Sequence, residues 1–283
     1  MNTTQHPLVS VMIPYYNCEQ YIAETIASVE AQHYPNIEII IVNDGSHHTS
    51  TTFLTQFLQN TPTIHLATQS NLGAAAARNH AARLANGKYF LFLDADDIIL
   101  PHYIQKSVEV LENRPDCKLV YPMTEFFDAQ QGIWDLPRYN GIKSLLTGNC
   151  IPIIAIHLAT DFKALHGFDE SLTTHEDWDF FFLLLQNDVD NTQIHRINQI
   201  LFQYRKRYNR TSLMDQINVS SVKIREEYQN IYIKHSNLFL KHQLGFYDLN
   251  CVSKKYHKLI NQAFIKQMRI LKQHIRKLRG KHQ

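Results

Sequence analysis

The sequence predicts an α/β fold with a mostly parallel sheet flanked by helices. Over the first hundred residues, short runs of β-branched and aromatic residues alternate with segments of helical periodicity, as in successive βαβ units. The chain of 283 residues is 44% hydrophobic and 19% charged, which is typical of a globular protein with a sizeable core. Polar residues directly follow the predicted strands, at the edge where parallel sheets bind ligands.

The predicted elements alternate regularly up to residue 100. Four short apolar runs bounded by turn residues are predicted strands: residues 8–14, 37–43, 63–68 and 88–94. Three longer segments between them are predicted helices: residues 18–32, 49–60 and 73–87. Gly87 ends the third helix, since glycine is common just beyond a helix C-terminus.

After residue 100 the alternation is less regular. The predicted helices there are residues 103–115 and 176–188. The predicted strands are residues 118–128 and 197–207, and residues 150–159 are a strand or a buried segment. From about residue 214 the pattern is helical to the end. We therefore place a domain boundary near residue 210, between an α/β domain (residues 1–210) and a helical C-terminal extension (residues 211–283).

The sequence also favours a cytoplasmic location. No stretch approaches the roughly 18 apolar residues that a helix needs to cross a bilayer. The N-terminus lacks the basic and apolar regions of a signal peptide. The four cysteines lie far apart without a CxxC pair, which favours reduced thiols over a disulfide framework or a zinc site. We expect a cytoplasmic protein that is either free or bound at the inner face of the membrane.

Three carboxylates end the fourth predicted strand. Asp94, Asp96 and Asp97 are interrupted only by Ala95, and each must be solvated, paired or bound to a cation. A cluster at a helix N-terminus is one explanation, but one cap would suffice and like charges repel one another. Oxygen ligands favour Mg²⁺ or Mn²⁺, and Mg²⁺ typically takes one or two carboxylates together with substrate phosphates. The cluster therefore predicts a metal–diphosphate site.

Polar residues also follow the first two strands. The first strand ends at residues 14–17, and the second ends at residues 43–46. Turn chemistry alone also explains the second segment, with Gly45 at positive φ and Ser46 or Asp44 capping the next helix. The chain contains neither a GxxxxGK[ST] loop nor a GxGxxG turn, which disfavours a P-loop kinase and a dinucleotide dehydrogenase.

Four segments, in their order and spacing, resemble the family 2 glycosyltransferases of the GT-A fold. They are residues 9–17, 39–46, 71–97 and 167–185. The resemblance covers about residues 7–210 and leaves the rest of the chain outside it. It implies a Rossmann-like nucleotide-diphospho-sugar transferase domain that uses a nucleotide-sugar donor with Mn²⁺ or Mg²⁺.

The resemblance implies roles for residues around the nucleotide. Asp44 would contact the base, while Pro14, Tyr15 and Asn17 would shape the base and ribose pocket. Arg78 is similar to an arginine that lies near the base or the diphosphate. For Arg78 the alternative is a solvated residue on an Ala-rich helix.

Asp94 and Asp96 resemble the DxD motif of the family, which holds the ribose and the metal. Asp96 would bind the ion directly, and Asp94 would lie on the ribose or beside the ion. Asp97 would orient a neighbour or cap the next helix. Arg205 belongs to a basic segment that resembles a loop closing over the diphosphate; its other basic residues are Lys206, Arg207 and Arg210. A solvated run of charges is the alternative for that segment.

Asp177 resembles the catalytic base of the family, and Glu176 would contact the acceptor or fix Asp177. Without the other motifs, an acidic first turn of a helix would explain these residues as well. Trp178 would shield Asp177, stack on the acceptor ring or belong to the core. One base and a metal-bound leaving group imply a single displacement with inversion. The [QR]xxRW motif of processive relatives is not found in the chain, which implies one sugar per catalytic event.

The resemblance therefore implies a metal-dependent, inverting, non-processive glycosyltransferase. It would move one hexosyl or N-acetylhexosaminyl group from a UDP-sugar to a hydroxyl of a glycan or lipid-linked acceptor, in synthesis of bacterial lipopolysaccharide or capsule. Two alternatives stay open. A sugar nucleotidyltransferase also uses an α/β sheet and a carboxylate-bound metal, but it usually carries a Gly-rich N-terminal loop. A non-catalytic scaffold protein could bind nucleotide sugars without transferring them.

Residues 252–283 form a basic segment. They contain ten of the 28 Lys and Arg residues and none of the 26 Asp and Glu residues. Apolar residues recur in this segment every three or four positions, which predicts an amphipathic helix of the kind that lies on anionic membranes. Such a helix suits a lipid-linked acceptor at the cytoplasmic face. The alternative is that the helix packs onto its own domain or onto the partner in a homodimer. Only the positive charge of the segment favours a nucleic-acid partner, so none is expected.

Overall fold

The computed structural model describes residues 6–59, 61, 63–208 and 221–244. Its strands are β1 (Val9–Tyr15), β2 (Ile37–Asp44), β3 (Ile64–Gln69), β4 (Tyr89–Phe92), β5 (Ile98–Ile99), β6 (Leu119–Asp128), β7 (Gly132–Trp134), β8 (Ile156–Leu158) and β9 (Ile194–Lys206). Its helices are α1 (Ile22–Glu30), α2 (His48–Leu58), α3 (Ala74–Leu84), α4 (Tyr103–Asn113), α5 (Ile142–Thr147), α6 (Ala159–Ala164), α7 (Glu176–Leu185), α8 (Ser221–Lys234) and α9 (Ser236–Lys241).

Within these residues the strands form one sheet in the order β3-β2-β1-β4-β8-β6-β9-β5, with β7 paired to β6. Strands β3, β2, β1 and β4 pair in parallel, as the βαβ pattern predicted. In the second half, β8 runs antiparallel to both β4 and β6, whereas β6 and β9 are parallel. The predicted α/β sheet flanked by helices is confirmed, with a parallel half and a mixed half.

The order of the strands creates a crevice beside β1. The chain steps from β1 to β2 and on to β3 at the sheet edge, and then returns across the sheet to pair β4 with the other side of β1. Open sheets bind ligands outside the carboxyl ends of their strands where the order reverses, and that point lies between β1 and β4. Almost every residue of β1 is buried, which explains why this strand is a continuous apolar run in the sequence.

The chain forms two compact units, Met1–Lys234 and His235–Gln283. The described part of the second unit contains α9. The predicted boundary near residue 210 lies among residues 209–220, outside the described residues, and stays a prediction. The basic segment of residues 252–283 also lies outside them. Among the helices that the structure describes, none has the length and apolar character needed to cross a membrane.

His157 on β8 is a buried histidine among aromatic rings. It is 1% exposed, and its ring lies 5.2 to 6.3 Å, between centroids, from the rings of Phe90, Phe92, Phe162 and Phe180. Burial lowers the pKa of His157 to about 4, from an ordinary value of 6.5. The folded protein therefore holds this side chain neutral where an unfolded chain would protonate it.

We expect His157 to make the protein less stable as the pH falls from 6.5 to about 4. In that range the unfolded chain binds a proton at this position and the folded chain does not, so protonation favours unfolding by up to about 3 kcal/mol. Urea unfolding at about pH 7 and about pH 5 should show a weaker acid dependence in His157→Phe than in the wild type. His48→Gln, at an exposed position, is the control and should behave as the wild type does. Equal acid dependence in His157→Phe and the wild type would contradict the prediction.

Candidate active site

Arg78 lies at the centre of the candidate active site. Its guanidinium donates from Nη2 to Asp94 Oδ1 at 2.5 Å and from Nη1 to Glu176 Oε1. The Arg78 side chain is only 6% exposed, so its charge needs both carboxylates to offset the loss of water. Burial alone would lower the pKa of Arg78, but Asp94 and Glu176 raise it above its ordinary value. One buried cation thus joins α3, the loop after β4 and the start of α7.

The position of Arg78 corrects one alternative from the sequence. Arg78 is not a solvated residue on an Ala-rich helix, because it is buried between two carboxylates. Its predicted contact with the nucleotide base or diphosphate stays a prediction. What the structure establishes is that Arg78 brings together the acids of two separate motifs.

The three carboxylates after β4 have different surroundings. The Asp94 side chain is 30% exposed, whereas Asp96 is 14% exposed and accepts a hydrogen bond from Arg207 Nε at 2.8 Å. Burial raises the pKa of Asp96, and Arg207 opposes that rise. Asp97 is buried, and its Oδ1 accepts the backbone N–H of Arg205 at 2.8 Å. Asp97 therefore orients a neighbouring strand, which is one of its two predicted roles.

Asp94 and Asp96 are the carboxylates available for a divalent cation. Across the described residues, no three or more His, Cys, Asp or Glu side chains are grouped so that they could hold a metal by themselves. Mg²⁺ is commonly held by one or two carboxylates together with substrate phosphates. Two partly exposed carboxylates therefore fit an ion shared with a diphosphate, and metal binding at Asp96 and Asp94 stays a prediction.

Arg205 is held by ion pairs and a backbone contact at the end of β9. Its guanidinium pairs with Asp128 at 2.5 Å and with Glu24, while its Nε donates to the backbone oxygen of Asp96 at 2.7 Å. Arg205 is 5% exposed, so it fixes the loop of residues 94–97 to β9. Arg207, two residues further on, is the basic side chain at the Asp96 carboxylate, and the predicted place of Arg205 at the diphosphate stays a prediction.

Asp44 accepts hydrogen bonds from the loop that leads into α3. It is 5% exposed, and its Oδ1 accepts hydrogen bonds from Gln69 Nε2 at 2.9 Å and from the backbone of Leu72 at 2.8 Å. Its Oδ2 accepts the N–H of Gly73 at 2.9 Å. A carboxylate at this position satisfies free N–H groups at a helix N-terminus. Asp44 thus caps α3, and its contact with a nucleotide base stays a prediction.

Of the two tyrosines at the end of β1, one is buried and the other is exposed. Tyr15 is completely buried, and its hydroxyl is 2.6 Å from Ser50 Oγ, while its part in shaping the base and ribose pocket stays a prediction. The neighbouring Tyr16 is 44% exposed. The alternation of side chains along an extended chain could have separated the two tyrosines, because consecutive residues point to opposite faces.

Asn17 joins the ends of β1 and β2. Its N–H donates to Ser46 Oγ at 3.0 Å, and its Oδ1 accepts the N–H of His47 at 2.9 Å. Pro14 lies on β1, three residues before Asn17, and is half-buried. These contacts place the predicted pocket residues at one corner of the crevice.

Gly45 is the residue directly after Asp44, at the end of β2. Its φ is +68°, and a Cβ added there would lie 2.5 Å from the backbone nitrogen of Asn71. We expect Gly45→Ala to destabilise the protein by about 1–3 kcal/mol in urea unfolding, because both the backbone and the contact would be strained. Gly73→Ala is the control, since its φ is +95° but an added Cβ has open space within 4 Å. Equal losses in the two variants would show that the close contact has no cost.

Glu176 and Asp177 form the first turn of α7. Glu176 is held by Arg78, while Asp177 Oδ2 accepts from Asn149 Nδ2 at 3.2 Å and Oδ1 accepts the backbone N–H of Trp178 at 2.7 Å. Burial raises the pKa of Asp177, although His175 and the Trp178 N–H oppose that rise. An oriented carboxylate with a raised pKa is suited to accept a proton.

Trp178 belongs to the core. It is completely buried, and its Nε1 donates to the backbone oxygen of Leu145 at 2.9 Å. Stacking of this ring on an acceptor sugar is therefore wrong, since no face of the ring is accessible. Its effect on Asp177 is limited to shielding and to the backbone hydrogen bond.

The fold and the site define an α/β protein with charged side chains grouped around Arg78 beyond the carboxyl end of β4. The family model described as Glycosyl transferase family 2 matches residues 10–166, more than half of the chain. The chain therefore belongs to glycosyl transferase family 2, and the resemblance drawn from its motifs is confirmed.

Curated relatives carry similar descriptions. An uncharacterized glycosyltransferase of Methanocaldococcus jannaschii is 30% identical over 213 residues, which cover 70% of this chain and 71% of that protein. An uncharacterized glycosyltransferase of Rickettsia typhi is 34% identical over 195 residues, which cover 65% of this chain and 60% of that protein. Chondroitin synthase of Escherichia coli is 28% identical over 182 residues, which cover 63% of this chain and 26% of that protein. The chain thus spans from 26% to 71% of these relatives' lengths.

Solved structures confirm the predicted GT-A-like fold. The crystal structure of S. aureus TarS 1–349 in complex with UDP-GlcNAc has a TM-score of 0.61 and 18% sequence identity to this chain. The match covers 82% of this chain and 75% of that one. At this identity the likeness shows the fold alone.

Proposed function

We propose that this protein is a glycosyltransferase that moves one sugar from a nucleotide-sugar donor to a hydroxyl of a glycan or lipid-linked glycan. Membership of family 2 supports transfer, and the complex of TarS with UDP-GlcNAc supports a UDP-sugar as donor. One observation carries the proposal further. Buried Arg78 joins Asp94, the predicted donor-side acid, to Glu176, the neighbour of the predicted base.

Asp94 and Asp96 act on the donor side of the reaction. They would hold Mn²⁺ or Mg²⁺, which when bound supplies Lewis-acid stabilisation of the departing nucleoside diphosphate. Arg207 already pairs with Asp96 and brings a second positive charge to the same place. Arg205, through its contacts with Glu24, Asp128 and the backbone of Asp96, keeps the loop that carries these acids in place.

Asp177 acts on the acceptor side as the general base. One of its carboxylate oxygens takes the proton of the acceptor hydroxyl while the hydroxyl oxygen attacks the anomeric carbon. Asn149 and the Trp178 N–H fix the orientation of the carboxylate, and burial raises its pKa, so both geometry and basicity favour proton transfer. Direct attack opposite the leaving group inverts the anomeric centre, and the chain transfers one sugar per event.

We place the reaction in the synthesis of a bacterial surface polysaccharide, such as lipopolysaccharide or capsule, at the cytoplasmic face of the membrane. The support is the basic amphipathic pattern of residues 252–283, which suits an anionic membrane surface and a lipid-linked acceptor. Liposome flotation of the full chain tests this location. Equal flotation with neutral and with anionic vesicles would contradict it.

The transfer itself is tested by incubating the full chain with nucleotide sugars, candidate acceptors and Mn²⁺, and by measuring UDP. A preliminary screen for thermal stabilisation by each donor with and without Mn²⁺ selects the donor, since a bound ligand raises apparent stability. We expect UDP release that depends on both the acceptor and the metal. No UDP release in this assay, together with release of pyrophosphate from UTP and a sugar 1-phosphate in a separate one, would indicate a sugar nucleotidyltransferase. Donor binding without turnover over a broad acceptor panel would indicate a scaffold protein.

A further inference from the structure

Helix α8 packs against the N-terminal turn of α7, which carries Glu176 and Asp177. The Tyr228 ring lies 5.1 Å from the His175 ring and 5.1 Å from the Trp178 ring. Lys234 Nζ, at the end of α8, lies 2.5 Å from Asp169 Oδ2 and 2.8 Å from Asp179 Oδ2. This helix lies outside the part of the chain that resembles the family, yet it contacts both sides of the turn that holds the proposed base.

Glu227 is the buried acid of α8. It is 9% exposed, its Oε1 accepts the hydroxyl of Thr173, and its Oε2 lies 3.5 Å from His175 Nδ1. Its neighbour Glu226 is exposed. Burying a carboxylate is costly unless hydrogen bonds and charges compensate. The contacts with Thr173 and His175 offset the cost of burying the Glu227 carboxylate.

His175 is the residue from which α7 begins. Its φ is +61°, a left-handed conformation that is unfavourable for a non-glycine residue unless its surroundings hold it. Its Nδ1 lies 2.8 Å from Thr174 Oγ1, and its carbonyl accepts the N–H of Asp179 at 3.0 Å. The first turn of α7 therefore depends on where His175 lies, and Asp177 is in that turn.

We propose that Glu227 is a positioning residue for the transfer reaction. By holding Thr173 and His175, it fixes the left-handed residue at which α7 starts, and so directs Asp177 towards the acceptor hydroxyl. Helix α8 then completes the active site, although none of its described side chains touches the reacting atoms. The inference rests on the proposed function, because it assigns Asp177 the role of base.

The test compares Glu227→Gln, Glu227→Asp and Glu226→Gln in the full chain. Displacement of a catalytic group by about 1 Å can cost about 100-fold in rate, so we expect kcat to fall about 10- to 100-fold in Glu227→Gln. The KM for the nucleotide sugar should be unchanged, since the donor binds at the other side of Arg78. Glu227→Asp should recover part of kcat, and Glu226→Gln should match the wild type because that residue is exposed on the same helix.

A second readout reports the geometry without turnover. In a Trp134→Phe background, Trp178 is the one remaining tryptophan, and it contacts both His175 and Tyr228. We expect Glu227→Gln to shift the emission of Trp178 and Glu226→Gln to leave it unchanged. A residue that only stabilised the fold would lower the melting temperature without changing kcat of the folded enzyme.

The outcomes separate this inference from the proposed function. Wild-type kcat in Glu227→Gln, or the same loss in Glu226→Gln, would overturn the inference while the proposed function stands. An inactive wild type would overturn the proposed function. In that case a shifted Trp178 emission would still support the positioning of the turn by Glu227, and unchanged emission would overturn it.

Discussion

Replacing Asp177 with asparagine is expected to lower the rate of sugar transfer by about 10²- to 10⁴-fold, the usual contribution of a general base. Asparagine has nearly the same shape, although its one side-chain oxygen can accept from only one of the two donors, Asn149 Nδ2 and the Trp178 N–H. It cannot take up the proton of the acceptor hydroxyl. The loss should therefore appear in kcat, with donor binding preserved.

Turnover of the purified Asp177→Asn protein, measured as UDP release with saturating donor and Mn²⁺, checks this prediction. Asp190→Asn is the matched control, because Asp190 is an exposed acid shortly after the same helix. Thermal unfolding should show at most a small loss of stability in Asp177→Asn, since removal of a charge that burial disfavours offsets the lost hydrogen bond. Near-wild-type transfer by Asp177→Asn would remove the assignment of this residue as the base.

Replacing Arg78 with methionine should have the largest effect on stability. It leaves Asp94 and Glu176 without their shared cation, and removing one partner of a buried ion pair typically costs about 3–5 kcal/mol. Activity should be lost together with stability, because the two carboxylates would repel one another in the crevice. Arg78→Lys should recover only part of both properties, since a single ammonium group lacks the two-pronged geometry of guanidinium.

Urea unfolding measures the loss directly. Arg83→Met provides the control, because Arg83 is an exposed arginine on the same helix. Adding Glu176→Gln to Arg78→Met should restore part of the stability, because one of the uncompensated charges is removed. Equal stability of Arg78→Met and Arg83→Met would contradict the central place given to this ion pair.

The sequence predicted the parallel half of the fold because each strand there is a short apolar run between turn residues. Strand β5 has two residues and β7 has three, too few for any periodicity to show. Within residues 150–159, only Ile156–Leu158 form a strand. Most of the other residues in this range are buried but do not belong to the sheet. A short apolar run in the sequence does not distinguish a buried strand from a buried loop, because it indicates burial and not strand pairing.

The candidate site was predictable as a set of motifs but not as a set of contacts. The acids at positions 94 and 96 could be found from their place after an apolar strand, and Asp177 could be found from the resemblance of its segment to the family. The ion pairs of Arg78 could not, because they depend on how α7 packs against α3. Arg205 and Arg207 lie two positions apart and so face the same side of an extended chain, and only the structure shows that Arg207, just beyond β9, reaches the Asp96 side chain.

The Arg78–Glu176 pair joins residues that are 98 positions apart in the chain. Such a contact closes a long loop, and long-range contacts form slowly because the chain entropy must be lost before they stabilise the structure. When only the parallel strands of a nascent polypeptide have formed, Arg78 can pair with Asp94 but not yet with Glu176. Catalytic competence is a late event in folding, and refolding kinetics followed by enzyme activity should lag behind those followed by strand formation.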